Sequence, residues 1–104
     1  MSIILKPGVR LFSVVCATEM VTVRAAAGPV ELTIGGVSPV TSAAERQESG
    51  SVVDGHQGGS AMGKRYVDHR ESVELLCTKA GDGAPAVDGV LMHLKDAKPL
   101  PSSD

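Results

Sequence analysis

Thr18-Glu19-Met20-Val21-Thr22-Val23 and Val30-Glu31-Leu32-Thr33-Ile34, with Ala25-Ala26-Ala27-Gly28-Pro29 between them, decide the fold class. Val21, Val23 and Ala25 alternate with Thr22 and Arg24; Val30, Leu32 and Ile34 alternate with Glu31 and Thr33. A repeat of two puts every apolar side chain of a segment on one face, which a pleated strand can bury and a helix cannot. The β-branched valines suit a half-buried pleated surface. Gly28-Pro29 breaks the pattern, so Ala25 to Pro29 reads as the turn linking these two strands.

The same alternation extends in both directions. Phe12, Val14 and Cys16 fall on one face of an upstream run. Downstream, Gly63 to Asp68 leads through His69-Arg70-Glu71, a hairpin turn, into Ser72 to Thr78, where Val73, Leu75 and Cys77 share a face. Ala84–Val87 and Val90–Leu94 flank Asp88-Gly89, a dipeptide suited to a tight hairpin because both residues tolerate positive φ. The expected architecture is all-β: a small sandwich or partly open barrel of six to eight short strands. Residues 1–104 read as a single β domain. A polar stretch over residues 38–62, rich in Ser, Gly and Glu, reads as one long mobile loop, and residues 95–104 as an extended tail with Pro99 and Pro101.

Composition narrows the function. Hydrophobic residues make up 42% of the chain but aromatics only 2%, Phe12 and Tyr66, so the core must be aliphatic. A formal net charge of −2 lacks the basic field that nucleic acid requires, and base-stacking aromatics are scarce, so no nucleic-acid partner is expected. No apolar run approaches a membrane span, and Lys6-Pro7-Gly8 interrupts the short apolar start, so neither a membrane partner nor a targeting segment is expected. The expected compartment is the cytoplasm, where Cys16 and Cys77 are reduced.

Those two cysteines are the main candidates for chemistry. They can act as metal ligands or a redox pair, with His56, His69, His93 or Glu19 completing a site, or as small core hydrophobes in phase with apolar neighbours. Lys79 follows Cys77 closely enough to lower its pKa. His56 lies in Gly55-His56-Gln57-Gly58-Gly59, where glycines allow close backbone approach, but without the strand-then-helix setting of a phosphate loop. His69 reads as a hairpin tip and His93 as an outward-facing strand residue. No triad or carboxylate pair is recognisable, and no catalytic residue is assigned.

The stretch from Phe12 to Val40 resembles the desulforedoxin-like ribbon found at the front of some superoxide reductases. Cys16 occupies the first cysteine position and Glu19 the second; Val21 and Val23 supply the strand; Thr33 and Ile34 stand at the paired-cysteine positions, before Gly35-Gly36; Ser38-Pro39-Val40 is similar to the exit. The resemblance implies a backbone shape that has lost most of its metal ligands. Tetrathiolate iron or zinc needs four donors, and although Glu19 can ligate zinc, Thr33 and Ile34 cannot replace thiolates. The expectation is therefore a non-catalytic accessory or interaction subunit of a larger enzyme assembly, without a cofactor, whose partner is another protein or a second copy. The alternative is a small metal-binding or redox protein using Cys16 and Cys77, with zinc or iron, for which Cys16, Cys77, His56 and Glu19 are the candidate ligands.

Overall fold

The computed structural model of the chain describes residues 3–42 and 50–95. None of these residues is helical, and no helix among them is long and apolar enough to cross a membrane. Among the described residues, ten strand segments run in the order β1 (Ile3–Ile4), β2 (Arg10–Phe12), β3 (Glu19–Arg24), β4 (Pro29–Val30), β5 (Leu32–Ile34), β6 (Arg65–Val67), β7 (Glu74–Lys79), β8 (Pro85–Val87), β9 (Val90–Leu91) and β10 (His93–Leu94). They form antiparallel sheets ordered β1-β4, β5-β8-β9 and β10-β6-β7-β3-β2.

Two single residues explain why ten segments arise where six to eight strands are expected. At Glu31 the chain leaves β1 for β8, and at Met92 it leaves β8 for β6. Met92 N–H donates to Pro85 O at 2.9 Å, and three residues later Lys95 N–H donates to Arg65 O at 2.8 Å. Residues 90–95 thus stitch the three-stranded sheet to the five-stranded one, making a partly open barrel. The far side is joined through one reciprocal backbone pair, Phe12 with Val40, so the barrel is not closed.

Alternation decides which face each strand buries. Leu11, Met20, Tyr66, Leu75 and Cys77 from the five-stranded sheet, with Val73 just ahead of β7, meet Leu32, Ile34 and Val87 from the three-stranded sheet. Leu11, Ile34, Val73 and Leu75 are completely buried. Each fully buried aliphatic side chain contributes roughly 1.5–3 kcal/mol, so this core rests on many moderate contacts. The Asp88-Gly89 hairpin forms as expected: φ is 53° and 81° at the two positions, and Val87 pairs with Val90. The turn after β6 is held by Asp68, whose Oδ1 accepts from Ser72 N–H at 2.7 Å and Val73 N–H at 3.0 Å.

One expectation is corrected. Val14 to Cys16 do not continue the β2 strand. Ser13 Oγ accepts from the N–H groups of Val15 and Cys16, both at 3.2 Å, and Ser13 N–H donates to Thr18 O at 3.0 Å. A serine that satisfies its own downstream amides offers the backbone an alternative to the ladder, and residues 13–18 fold into a loop. Ala25 to Pro29 does link β3 to β4, but those strands lie in different sheets and do not pair.

Of the polar stretch 38–62, the described part is laced to the body. Val53 N–H donates to Gly35 O, Ala84 N–H to His56 O, and Ser60 exchanges backbone bonds with Gly81. Residues 43–49 and the tail beyond Lys95 lie outside the described residues.

Candidate functional site

Cys16 sits in the loop that Ser13 creates. Its sulfur is 3.2 Å from Ser13 Oγ and 3.3 Å from Thr18 Oγ1, and the side chain is 8% exposed. Burial pushes the thiol pKa up, but hydrogen bonds to the Ser13 and Thr18 hydroxyls and to the backbone of Thr18 and Gly83 outweigh it, and the pKa ends below that of a free thiol. Cys77 has the opposite balance. Burial raises its pKa, a backbone contact with Lys79 offsets part of this, and charge on Cys16 raises it further; its thiol donates to Lys79 O at 3.2 Å. Cys16 and Cys77 are not bridged by a disulfide and belong to one core cluster.

The fold thus places Cys16 and Cys77 in one core cluster but does not gather the other proposed ligands with them into a metal-binding group among the described residues. Glu19 lies on the outer face of β3, with its carboxylate 4.0 Å from Lys79 Nζ. His56 packs beside Gly36, its Nδ1 sealed from solvent without a hydrogen-bond partner among the described residues. Ile34 is core, and Thr33 lies on the opposite face of β5. His69 is at the hairpin tip and His93 is exposed, as expected. Among the described residues, no group of three or more His, Cys, Asp or Glu is arranged to hold a metal ion.

A consequence is that the two thiols differ in reactivity. On native protein, Cys16 is expected to be alkylated by iodoacetamide ahead of Cys77, because thiolate character governs the rate. Peptide mass spectrometry after timed quenching measures the order; equal labelling of both would show that the Ser13–Thr18 loop does not activate the sulfur.

The second feature is the outer face of the five-stranded sheet. Register places Arg10, Val21, Leu76 and Arg65 side by side in one rung. Arg24, Glu74, Val67 and His93 form the next. Between these rungs, Thr22, Leu75 and Tyr66 point into the core. A bulge at Val23 brings Arg24 opposite Glu74.

Glu74 is the electrostatic centre of this face. Its side chain is only 5% exposed, with Oε1 at 3.0 Å from Lys95 Nζ and Oε2 at 3.3 Å from Arg65 Nη1. Burial pushes its pKa up, but the two cations outweigh this and hold the carboxyl below its ordinary value. Arg24, Val67, Glu71, Glu74, His93, Leu94 and Lys95 line a cleft of about 300 Å³ at this end of the sheet. Sequence reading missed the cleft. Its signal was a set of polar residues at outward-facing strand positions, Arg24, Glu74 and His93, whose alignment depends on cross-strand register.

No family model matches the chain, and neither curated proteins nor solved structures gave a significant match.

Proposed function

We propose that this chain is a non-catalytic interaction module, an accessory subunit of a larger enzyme assembly, and that it binds an acidic protein surface through the outer face of its five-stranded sheet. The observation that carries this reading is charge distribution. That face presents Arg10, Arg24, Arg65, Lys79 and Lys95, while its carboxylates Glu19 and Glu74 are already paired. The chain as a whole has a formal net charge of −2, so the cations are segregated. Half-buried Val21 and Leu76 lie in the middle of the face, giving an apolar centre within a charged rim. Such complementarity sets encounter rate and orientation, and it is sensitive to salt.

The degenerate desulforedoxin-like ribbon belongs to the same proposal. Its support is the apposition of the two turns that would carry the knuckles: Gly35 packs against Val15 and Gly83, and Gly83 against the Cys16 sulfur. On this reading the shape persists as a scaffold for contact.

The test is affinity capture of the tagged chain from its native cells, with wild type compared against Leu76→Asp and Arg65→Glu. One acidic protein should be retained in near-stoichiometric amount by wild type and lost from both variants, while the variants' thermal transitions stay cooperative. Equal retention by all three, or a wild-type chain that is a partner-free monomer by light scattering, contradicts the proposal.

A redox or metal role for Cys16 and Cys77 is the second reading, favoured by their shared core neighbourhood and the lowered pKa of Cys16. Near-stoichiometric zinc or iron in purified protein, lost in Cys77→Ser, would support it and displace the first.

A further inference from the structure

The cleft at the end of the outer face has an unequal set of charges. Both oxygens of Glu74 are engaged, one by Lys95 and one by Arg65. Arg24 stands opposite Glu74 in register, lines the same cleft, and has neither an ion pair nor a hydrogen bond among the described residues. A guanidinium presents a planar fork of donors whose geometry matches a carboxylate. Val67 and Leu94 supply an apolar wall, and Leu94 is 45% exposed. Glu71, on the turn after β6 with φ of 57°, contributes one acceptor that no described group uses.

We infer that this cleft binds the carboxylate of an aliphatic acid: Arg24 takes the carboxylate, Val67 and Leu94 contact the aliphatic body, and Glu71 accepts from an N–H adjacent to the carboxylate-bearing carbon. Lys95 adds positive field from the Glu74 side. A cationic ligand is disfavoured, because Glu74 is already compensated by two cations. The small volume, about 300 Å³, admits one residue-sized group. That chemistry has two sources, the C-terminal residue of a partner protein or a free acid. The inference rests on the proposed interaction role only for the first of these.

The probes are N-acetyl-leucine, its amide N-acetyl-leucinamide, and a short peptide ending in leucine as either free acid or amide, titrated while backbone amide resonances are followed by NMR. The acids should shift the resonances of Arg24, Val67 and His93, and the amides should bind about tenfold or more weakly, as should the acids to Arg24→Gln. Lys64→Gln, at an exposed residue outside the cleft, should bind as wild type does. A peptide acid that binds more tightly than N-acetyl-leucine identifies a partner terminus; equal affinity identifies a free acid, and both outcomes uphold the inference. It is overturned by acids and amides binding alike, by undiminished binding to Arg24→Gln, or by no shift at all. Loss of the captured protein from Leu76→Asp together with no response to the probes would refute the cleft's ligand and leave the interaction role standing.

Discussion

Gly83→Ala is expected to destabilise the protein by about 3 kcal/mol or more, because a well-packed junction has no room for a methyl group. A Cβ at this position would lie 2.8 Å from Gly35 Cα, 2.9 Å from Gly35 N and 3.1 Å from the Cys16 sulfur. Two of the three neighbours are backbone and cannot rotate away. The clash falls where the Ser13–Thr18 loop, the Gly35-Gly36 turn and the segment leading into β8 converge, so relief would have to part the end of β5 from the start of β8 within the three-stranded sheet. Gly58→Ala is the control: its Cβ would meet only the Ala84 methyl, at 3.6 Å, an ordinary contact, and its stability should lie within about 0.5 kcal/mol of wild type. Urea unfolding midpoints of the two variants measure the contrast. The same clash perturbs the bed of Cys16, so Gly83→Ala should also change the rate at which that thiol is alkylated.

Asp68→Ala is expected to cost about 3 kcal/mol, since it strands buried donors that have no other acceptor within the turn. Asp68 is 1% exposed; besides two backbone N–H groups, it accepts from the Ser72 hydroxyl at 2.9 Å. Val73, whose amide would lose its partner, is fully buried and immediately precedes β7. Asp68→Asn keeps one acceptor oxygen and should lose about half as much. The two side chains also differ with pH. Burial pushes the Asp68 carboxyl pKa up, but bonds from Val73 and Ser72 and the charge of His69 outweigh it, leaving the folded pKa below the ordinary value. A depressed folded pKa means that this contribution is fully present above the unfolded pKa and is lost as pH falls through the folded one. Glu74, shifted in the same direction, adds to the acid sensitivity. The stability gap between wild type and Asp68→Asn should therefore be full at neutral pH and shrink below about pH 4. Unfolding curves at neutral and acid pH test this, and a gap that stays constant would show that the carboxylate charge contributes nothing.

The strands were legible because alternation is a local signal. Val73, Leu75 and Cys77 could be assigned to one buried face without knowing their partners, and Asp88-Gly89 announced its turn through the positive φ that both positions adopt. What was not legible depends on partners distant in sequence. Nothing local marks Glu31 or Met92 as the residues where a strand changes sheets. Ser13 was readable in principle, since a serine ahead of two free amides is a known competitor of the ladder, yet the apolar Phe12, Val14 and Cys16 pattern masked it. The cleft was hidden for a different reason: its residues come from β3, β6, β7, β10 and the turn after β6, and the bulge at Val23 shifts the register that brings Arg24 opposite Glu74. Cys77 is buried in phase with Leu75 on β7, whereas Cys16 is buried from a loop and not from the strand its spacing suggested, and the contrast between the two thiols arises from Ser13, Thr18 and Gly83, which only the folded chain assembles.

The most direct test of the account is arginine footprinting of the chain isolated and in its captured complex, with modification read residue by residue by mass spectrometry. Arg10, Arg24 and Arg65 on the outer face should react in the isolated chain and be protected in the complex, while Arg70 at the hairpin tip reacts equally in both. Protection of Arg70 with undiminished modification of Arg10, Arg24 and Arg65 would contradict the account.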